Sequence, residues 1–380
     1  MDLTKRYINL AVLLAVVFAA AMICGCTGQS NTDNPSSGSV DENDTITVTD
    51  SLGREVTVPK DPDSVVCSGS GCLRYLTYLG AQDKIVGVDD IEIKDQEMDA
   101  RPYALANTQF KNYPLIGEYR GNDDPEKIVA LNPEVIFKAG MTSADEADEL
   151  SEKTGIPVVG IDVGSLSTYR DDMYYSFRLM GKVIGKEDRA EELINYFNAS
   201  IADLNDRTAG VSNSDKISTY VGGIAYRGPH GFQSTEPAYP PFVFVNANNV
   251  AASMGTDHAD VAKEKILEWD PEVIFVDLST LQTTDSNAVT ELRNDDSYSL
   301  LSAVKADRVY GVLPYNWYSQ NQGSILADAY YVGKVLYPEK FSDINPDEKA
   351  DEIYTFLVGG PVFDELNETF GGMAFSKISV

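Results

Sequence analysis

A twelve-residue phrase occurs twice in this chain. Residues 126–137 read EKIVALNPEVIF and residues 264–275 read EKILEWDPEVIF, 138 residues apart, with eight of the twelve positions identical. Each copy opens on an acid, continues with apolar residues three apart (Ile128 and Leu131, Ile266 and Trp269), meets a proline, and ends in an unbroken apolar run. The spacing predicts a short helix that stops before Pro133 or Pro271. The run that follows is β-branched and aromatic without alternation, as expected of a strand covered on both faces in a parallel sheet. A chain that builds the same helix–strand unit twice, so far apart, has two similar lobes.

The rest of each half agrees. SVVCSG, KIVGVD, PEVIFKAG and IPVVGID in the first half, and ISTYVGGIAY, PEVIFVDLS and DRVYGVLP in the second, read as strands separated by helical patterns. This alternation predicts α/β lobes with parallel sheets. Between residues 167 and 208 the strand signals vanish. Met173, Phe177, Met180 and Ile184, then Leu193, Phe197, Ile201 and Leu204, follow helical spacing with a break near Gly185. The second of these segments, about twenty residues, would span about 30 Å as a helix. The expected organisation is an N-terminal α/β lobe (45–166), a rigid helical backbone (167–208) and a C-terminal α/β lobe with terminal helices (209–380). A ligand cleft lies between the lobes, where strand C-termini deliver their loops.

The N-terminus predicts export. Lys5 and Arg6 precede an uncharged apolar run over residues 10–23, the length of a signal-peptide core rather than a membrane span. The ICGC that follows resembles a lipoprotein cleavage box, so residues 1–25 are expected to be a signal peptide and Cys26 the lipidated first residue of the mature chain. Residues 26–44 are polar and lack large apolar side chains, as expected of a flexible tether. The formal net charge of −29 argues against a nucleic-acid partner and for a self-repelling, monomeric surface.

In order along the chain, ITVTDSLGREVTVPKDPDSVV, LTYLGAQDKIVGVDD, DPEKIVALNPEVIF, GIPVVGID and LSAVKADRVYGVLPYNWYS resemble the substrate-binding proteins of ABC importers, in the class with a helical backbone between the lobes that serves ferric siderophores, haem and cobalamin. The resemblance covers roughly residues 45–340. It implies a binding protein that captures an iron chelate, or a corrinoid or haem, and hands it to a permease–ATPase complex, with no intrinsic cofactor and no catalysis. It also implies that Glu126 and Glu264, one per lobe, dock on the permease.

The expected ligand contacts come from loops at strand ends: Cys67, Ser68, Gly69, Ser70, Gly71 and Cys72, with Tyr119 and Arg120 on the first lobe, and Tyr226, Arg227, His230, Tyr315, Asn316, Trp317 and Tyr318 on the second. Glycine amides suit an anion. Arg74, Arg120 and Arg227 suit carboxylates. The aromatics suit a flat or chelated ligand. Cys67 and Cys72 are spaced either for a disulfide or as two free thiols. Two histidines in 380 residues disfavour capture of bare zinc or manganese. The other classes this architecture serves are a reductase-like enzyme and a non-transport cell-surface protein; GxSxG, HExxH and Walker motifs do not occur.

Overall fold

The computed structural model describes residues 44–284 and 286–380. The expected signal peptide, Cys26 and nearly all of the expected tether lie outside these residues. Among the described residues no helix is long and apolar enough to cross a membrane.

The twice-used phrase folds the same way twice. Helix Pro125–Leu131 ends on Asn132 and helix Lys263–Trp269 ends on Asp270, both residues left-handed at φ 49° and 42°. Asn and Asp tolerate that conformation, and the following proline forbids another helical turn. Ile128 and Ile266 are the fully buried residues of the two helices. The strands Val135–Ala139 and Val273–Asp277 are buried at every position, which accounts for the unbroken apolar run.

Each of these strands lies inside a parallel sheet. In the first lobe the strands run, from one edge, Asn122–Asp123, Leu115–Glu118, Ile85–Asp89, Val65–Ser68, Val135–Ala139, Val158–Ile161. All neighbours are parallel except the two-residue edge strand, which is antiparallel to Leu115–Glu118. In the second lobe the order is Asn248–Asn249, Ser218–Gly222, Val273–Asp277, Val309–Val312, all parallel. The sequence order reverses in each sheet beside its first strand, so a crevice opens outside the carboxyl ends of Val65–Ser68 and Val135–Ala139, and of Ser218–Gly222 and Val273–Asp277. Hairpin Thr45–Thr49/Glu55–Pro59 precedes the first sheet.

Two helices, Arg170–Val183 and Glu187–Thr208, connect the lobes and meet at Gly185, whose φ of +66° turns the chain. Met173, Phe177, Met180, Ile184, Leu193, Phe197 and Leu204 are fully buried and Ile201 nearly so. The second helix has 22 residues, about 33 Å at 1.5 Å per residue. Phe177 and Phe197 stack across the pair at 6.2 Å, and Tyr75 of the first lobe packs on Phe177 at 4.6 Å. The backbone is thereby pinned to the lobe it leaves.

Candidate ligand-binding cleft

The loops after the first strands meet between the lobes. A cavity of about 290 Å³ is lined by Tyr119 and Arg120 from the first lobe and by Arg227, Asn316, Trp317 and Tyr318, among others, from the second. Beside it lies a pocket of about 10 Å³, room for about one water molecule, walled by Cys67, Gly69, Gly71, Asp89, Tyr119 and Tyr318. Tyr119 and Tyr318 meet edge to face at 4.8 Å and so touch across the cleft.

Loop 314–320 is the most constrained part of the site. Tyr318 and Ser319 are consecutive non-glycine residues with left-handed backbones, φ 50° and 68°. This costs about 1–3 kcal/mol per residue and persists only where the surroundings impose it. Arg74 imposes it. Its guanidinium, 1% exposed, donates to the carbonyls of Trp317 (3.1 Å), Tyr318 (3.0 Å) and Gln320 (3.0 Å). Arg74 sits on the first-lobe helix Cys72–Tyr78, so these bonds also join the lobes. The sequence suggests a ligand carboxylate for Arg74; its two terminal nitrogens instead bond the backbone. Arg101 adds a second support. It is buried against Glu92 and Asp99 at 2.8 and 2.7 Å and lies 5.7 Å over the Tyr318 ring.

The aromatic residues of the loop divide by position. Tyr315 is 2% exposed, and its hydroxyl donates to Glu236. Trp317 lines the cavity yet is 5% exposed, packs on Phe370 at 6.2 Å, and has a buried indole N–H without a partner. Tyr318 is half-buried in the wall of both cavities. Asn316 lines the larger cavity and donates to the Ala225 carbonyl at 2.8 Å.

Loop 67–72 is positioned differently from its sequence reading. The Gly69 amide donates to Asp89 Oδ2 at 2.8 Å and is taken before any ligand arrives. Its glycines answer to packing. A Cβ on Gly69 (φ +89°) would meet the Ala139 carbonyl oxygen at 2.4 Å, and one on Gly71 (φ +91°) would meet Val163 at 2.7 Å and Ser319 of the other lobe at 3.2 Å. Ser68 is buried and donates to Asp123, which also pairs with buried Lys138. Cys67 and Cys72 are buried free thiols, and Cys72 lies 3.5 Å from the Phe137 carbonyl. Burial first, and the neighbouring Cys67 next, push the Cys72 thiol well above its ordinary value. Of this stretch Cys67, Gly69, Ser70 and Gly71 reach the small pocket.

Arg227 faces the cleft with a left-handed backbone, φ 58°. Tyr226 and His230 stand on the rim, where Tyr226 is 44% exposed and the His230 ring bonds the Tyr226 carbonyl. Asp89 escaped sequence reasoning. It ends the strand Ile85–Asp89, is 5% exposed, and lines the small pocket with Oδ1 unpartnered. Burial, only partly offset by the Gly69 N–H, raises its pKa to about 7. It presents a carboxyl beside the cleft that can donate or accept. Glu126 and Glu264 line neither cavity and are exposed in the first turns of their helices, Glu126 shortly after the cleft residue Arg120 in the chain.

Comparisons with known proteins fit this geometry. The periplasmic binding protein family matches residues 65–315. The molybdate-binding protein MolA of Haemophilus influenzae is 25% identical over 329 residues, 81% of this chain and 89% of that protein. The petrobactin-binding protein YclQ of Bacillus subtilis is 25% identical over 323 residues, 82% and 93% of the two chains. A crystal structure of a periplasmic solute-binding protein from Veillonella parvula superposes with a TM-score of 0.65 at 21% identity, covering 86% of this chain and 96% of that one. The family match spans most of both lobes and the helices between them, so the chain belongs to the periplasmic binding protein family and is a substrate-binding protein of the ABC-importer class.

Proposed function

We propose that this chain captures an anionic metal chelate of the ferric-siderophore type between its lobes and delivers it to the permease of an ABC importer, catalysing nothing. One observation carries the reading: Arg120 and Arg227, one from each lobe, line one cavity with Tyr119, Trp317 and Tyr318. Two guanidiniums from opposite walls pair with carboxylate or catecholate oxygens and draw the lobes onto the ligand. The aromatic wall covers its apolar edge. The relative named for petrobactin supports this class. A corrinoid or haem would use the same aromatic faces but would need the lobes to part further.

Arg120→Ala and Arg227→Ala are each expected to weaken binding of a ferric chelate at least ten-fold, about 1.4 kcal/mol or more. Calorimetric titration checks this, and unchanged affinity in both variants contradicts it. A second reading has its own support. The cavity, about 290 Å³, is at the small end of the roughly 300–1,000 Å³ usual for ligand sites, and its two guanidiniums would also pair with a compact oxyanion such as molybdate, with water filling the remaining space. The relative named for molybdate points the same way. Tight molybdate binding with no response to ferric chelates would select that reading.

Delivery is assigned to Glu126 and Glu264, a matched acid on each lobe for a two-fold partner. Replacing both by Arg is expected to cut uptake at least ten-fold while leaving ligand affinity within two-fold; normal uptake sinks the assignment. The chain is held at the outer face of the cytoplasmic membrane by lipid on Cys26. An intact mass of the exported protein that shows an unmodified or uncleaved N-terminus removes this anchor.

A further inference from the structure

The chain has two histidines, and the fold sets them side by side. His230 ends the loop that forms the second-lobe rim, and His258 precedes the short strand Ala259–Asp260. Their ring centroids are 5.5 Å apart, with an angle of 48° between the planes.

Hydrogen bonds fix the tautomer of each ring. His230 Nε2 lies 2.7 Å from the Tyr226 carbonyl, which can only accept, so Nε2 carries the proton. Ser234 Oγ lies 2.7 Å from the Ile224 carbonyl and spends its one proton there. The same Oγ is 2.7 Å from His258 Nε2 and must accept, so this Nε2 is protonated too. In a neutral imidazole the remaining lone pair is then on Nδ1. Among the described residues neither Nδ1 has a hydrogen-bond partner. Tyr226 organises both rings: its carbonyl holds His230, and its own ring lies flat on His258 at 4.4 Å and 7°.

The spacing suits a shared ion. Two imidazoles each bound at about 2.1 Å put their centroids about 3.2 Å from the metal, and angles between tetrahedral and trigonal separate those centroids by about 5.2–5.6 Å. The observed 5.5 Å falls in that interval.

We propose that His230 and His258, through their Nδ1 atoms, form a two-imidazole site for a divalent transition-metal ion on the rim of the second lobe, separate from the cargo cavity. Among the described residues no group of three or more His, Cys, Asp or Glu is placed to hold a metal, so two protein nitrogens are complemented by water. The exposed carboxylates of Asp257 and Asp260, within two residues of His258, add a negative field. Copper(II) is expected to bind tighter than nickel or zinc, following the order of imidazole complexes.

The test uses untagged, metal-free protein. In proton NMR the two histidine Hε1 resonances are expected to shift together on addition of Zn²⁺, at one equivalent per chain. A shift of one alone, or of neither up to 1 mM Zn²⁺ (a Kd near 1 mM corresponds to about −4 kcal/mol), overturns the proposal. Calorimetry with Ni²⁺ gives a second readout. Glutamine retains an Nε2 donor and offers no nitrogen at the Nδ1 position, so His230→Gln and His258→Gln are each expected to weaken binding at least ten-fold. Wild-type Ni²⁺ affinity in the double variant also overturns it.

Discussion

Arg74→Leu is expected to destabilise the protein by about 3–5 kcal/mol and to abolish measurable cargo binding. The guanidinium makes three bonds to backbone carbonyls of the other lobe. Bonds from a charged donor each contribute about 1.5–3 kcal/mol, and a carbonyl left buried without a donor loses a further amount. Relief of the buried charge offsets part of the sum, because among the described residues Arg74 has no carboxylate partner and its Nε is unsatisfied. The cation also lies 5.1 Å over the Tyr103 ring, a contact leucine replaces only by packing. The functional effect follows from the backbone. Tyr318 and Ser319 hold left-handed conformations at the tip of a tight turn closed by the Asn316–Gln320 bridge and the Trp317 N–H to Ser319 carbonyl bond, and without Arg74 that turn loses its support from the other lobe. That loss of support moves Trp317 and Tyr318, two walls of the cavity. Arg74→Lys retains charge but cannot bond three carbonyls at once, so most of the loss should remain. Urea denaturation measures the stability. A loss below about 1 kcal/mol would mean that the loop holds its shape unaided.

The second large effect is a stability that falls as pH rises. Asp277 and Asp328 are buried in the second lobe with Tyr239, Glu236 is partly buried beside them, and none of the three acids is hydrogen-bonded to a Lys or Arg among the described residues. Burial raises the pKa of Asp277 to about 7 and, with the Asp277 and Asp257 charges, that of Glu236 to about 8. Asp328 is pushed up strongly, by burial first and by Asp277. Among the described residues Asp277 Oδ2 and Asp328 Oδ2 lack partners. A carboxyl with a native pKa above its unfolded value binds more protons folded than unfolded. Its contribution to stability is therefore complete below about pH 4 and is lost as pH rises through about 7–8. For Asp277 the full loss, between low pH and pH above about 7, is on the order of 4 kcal/mol at 1.36 kcal/mol per pKa unit. The protein should unfold at lower urea at pH 8.5 than at pH 5.5. Asparagine retains the oxygens that accept from the Ser279 and Leu313 amides at 2.9 Å. Asp277→Asn and Asp328→Asn should therefore raise stability at pH 8.5 and flatten the pH profile. A profile that instead rises from pH 5.5 to 8.5 would place cations beside these acids.

The sequence shows the frame of this protein more clearly than its site, and particular residues explain why. The repeated phrase carries its own stop signal, Asn132–Pro133 and Asp270–Pro271, and its own burial signal, an apolar run without alternation; both are local. The helices between the lobes announce themselves through eight apolar residues at helical spacing, all of them buried. Strand Leu115–Glu118 is weaker in sequence: four residues, after a proline and containing a glycine, ending on an exposed acid. The site is non-local. Arg74 was given to a ligand because an arginine after a glycine-rich loop suits an anion, and nothing near it signals three carbonyls more than 240 residues away. Gly69 and Gly71 were given to an anion for the same reason, whereas the fold uses them where Ala139 and Ser319 press close. Asp89 and Asp277 look like ordinary strand ends until burial removes their water. Arg120, Arg227 and Trp317, by contrast, were legible as cleft residues, because strand ends in such sheets deliver loops to the cleft.

Intrinsic fluorescence tests the central claim most directly. Trp269 and Trp317 are the two tryptophans of the chain, and Trp317 lines the cavity while Trp269 lies on the helix that bears Glu264. Titration with ferric catecholate and carboxylate chelates is expected to quench this emission saturably at submicromolar concentration, with the change lost in Trp317→Phe. No saturable response to ferric chelates, haem, cobalamin or molybdate, with calorimetry equally silent, would contradict capture of an anionic metal species between the lobes.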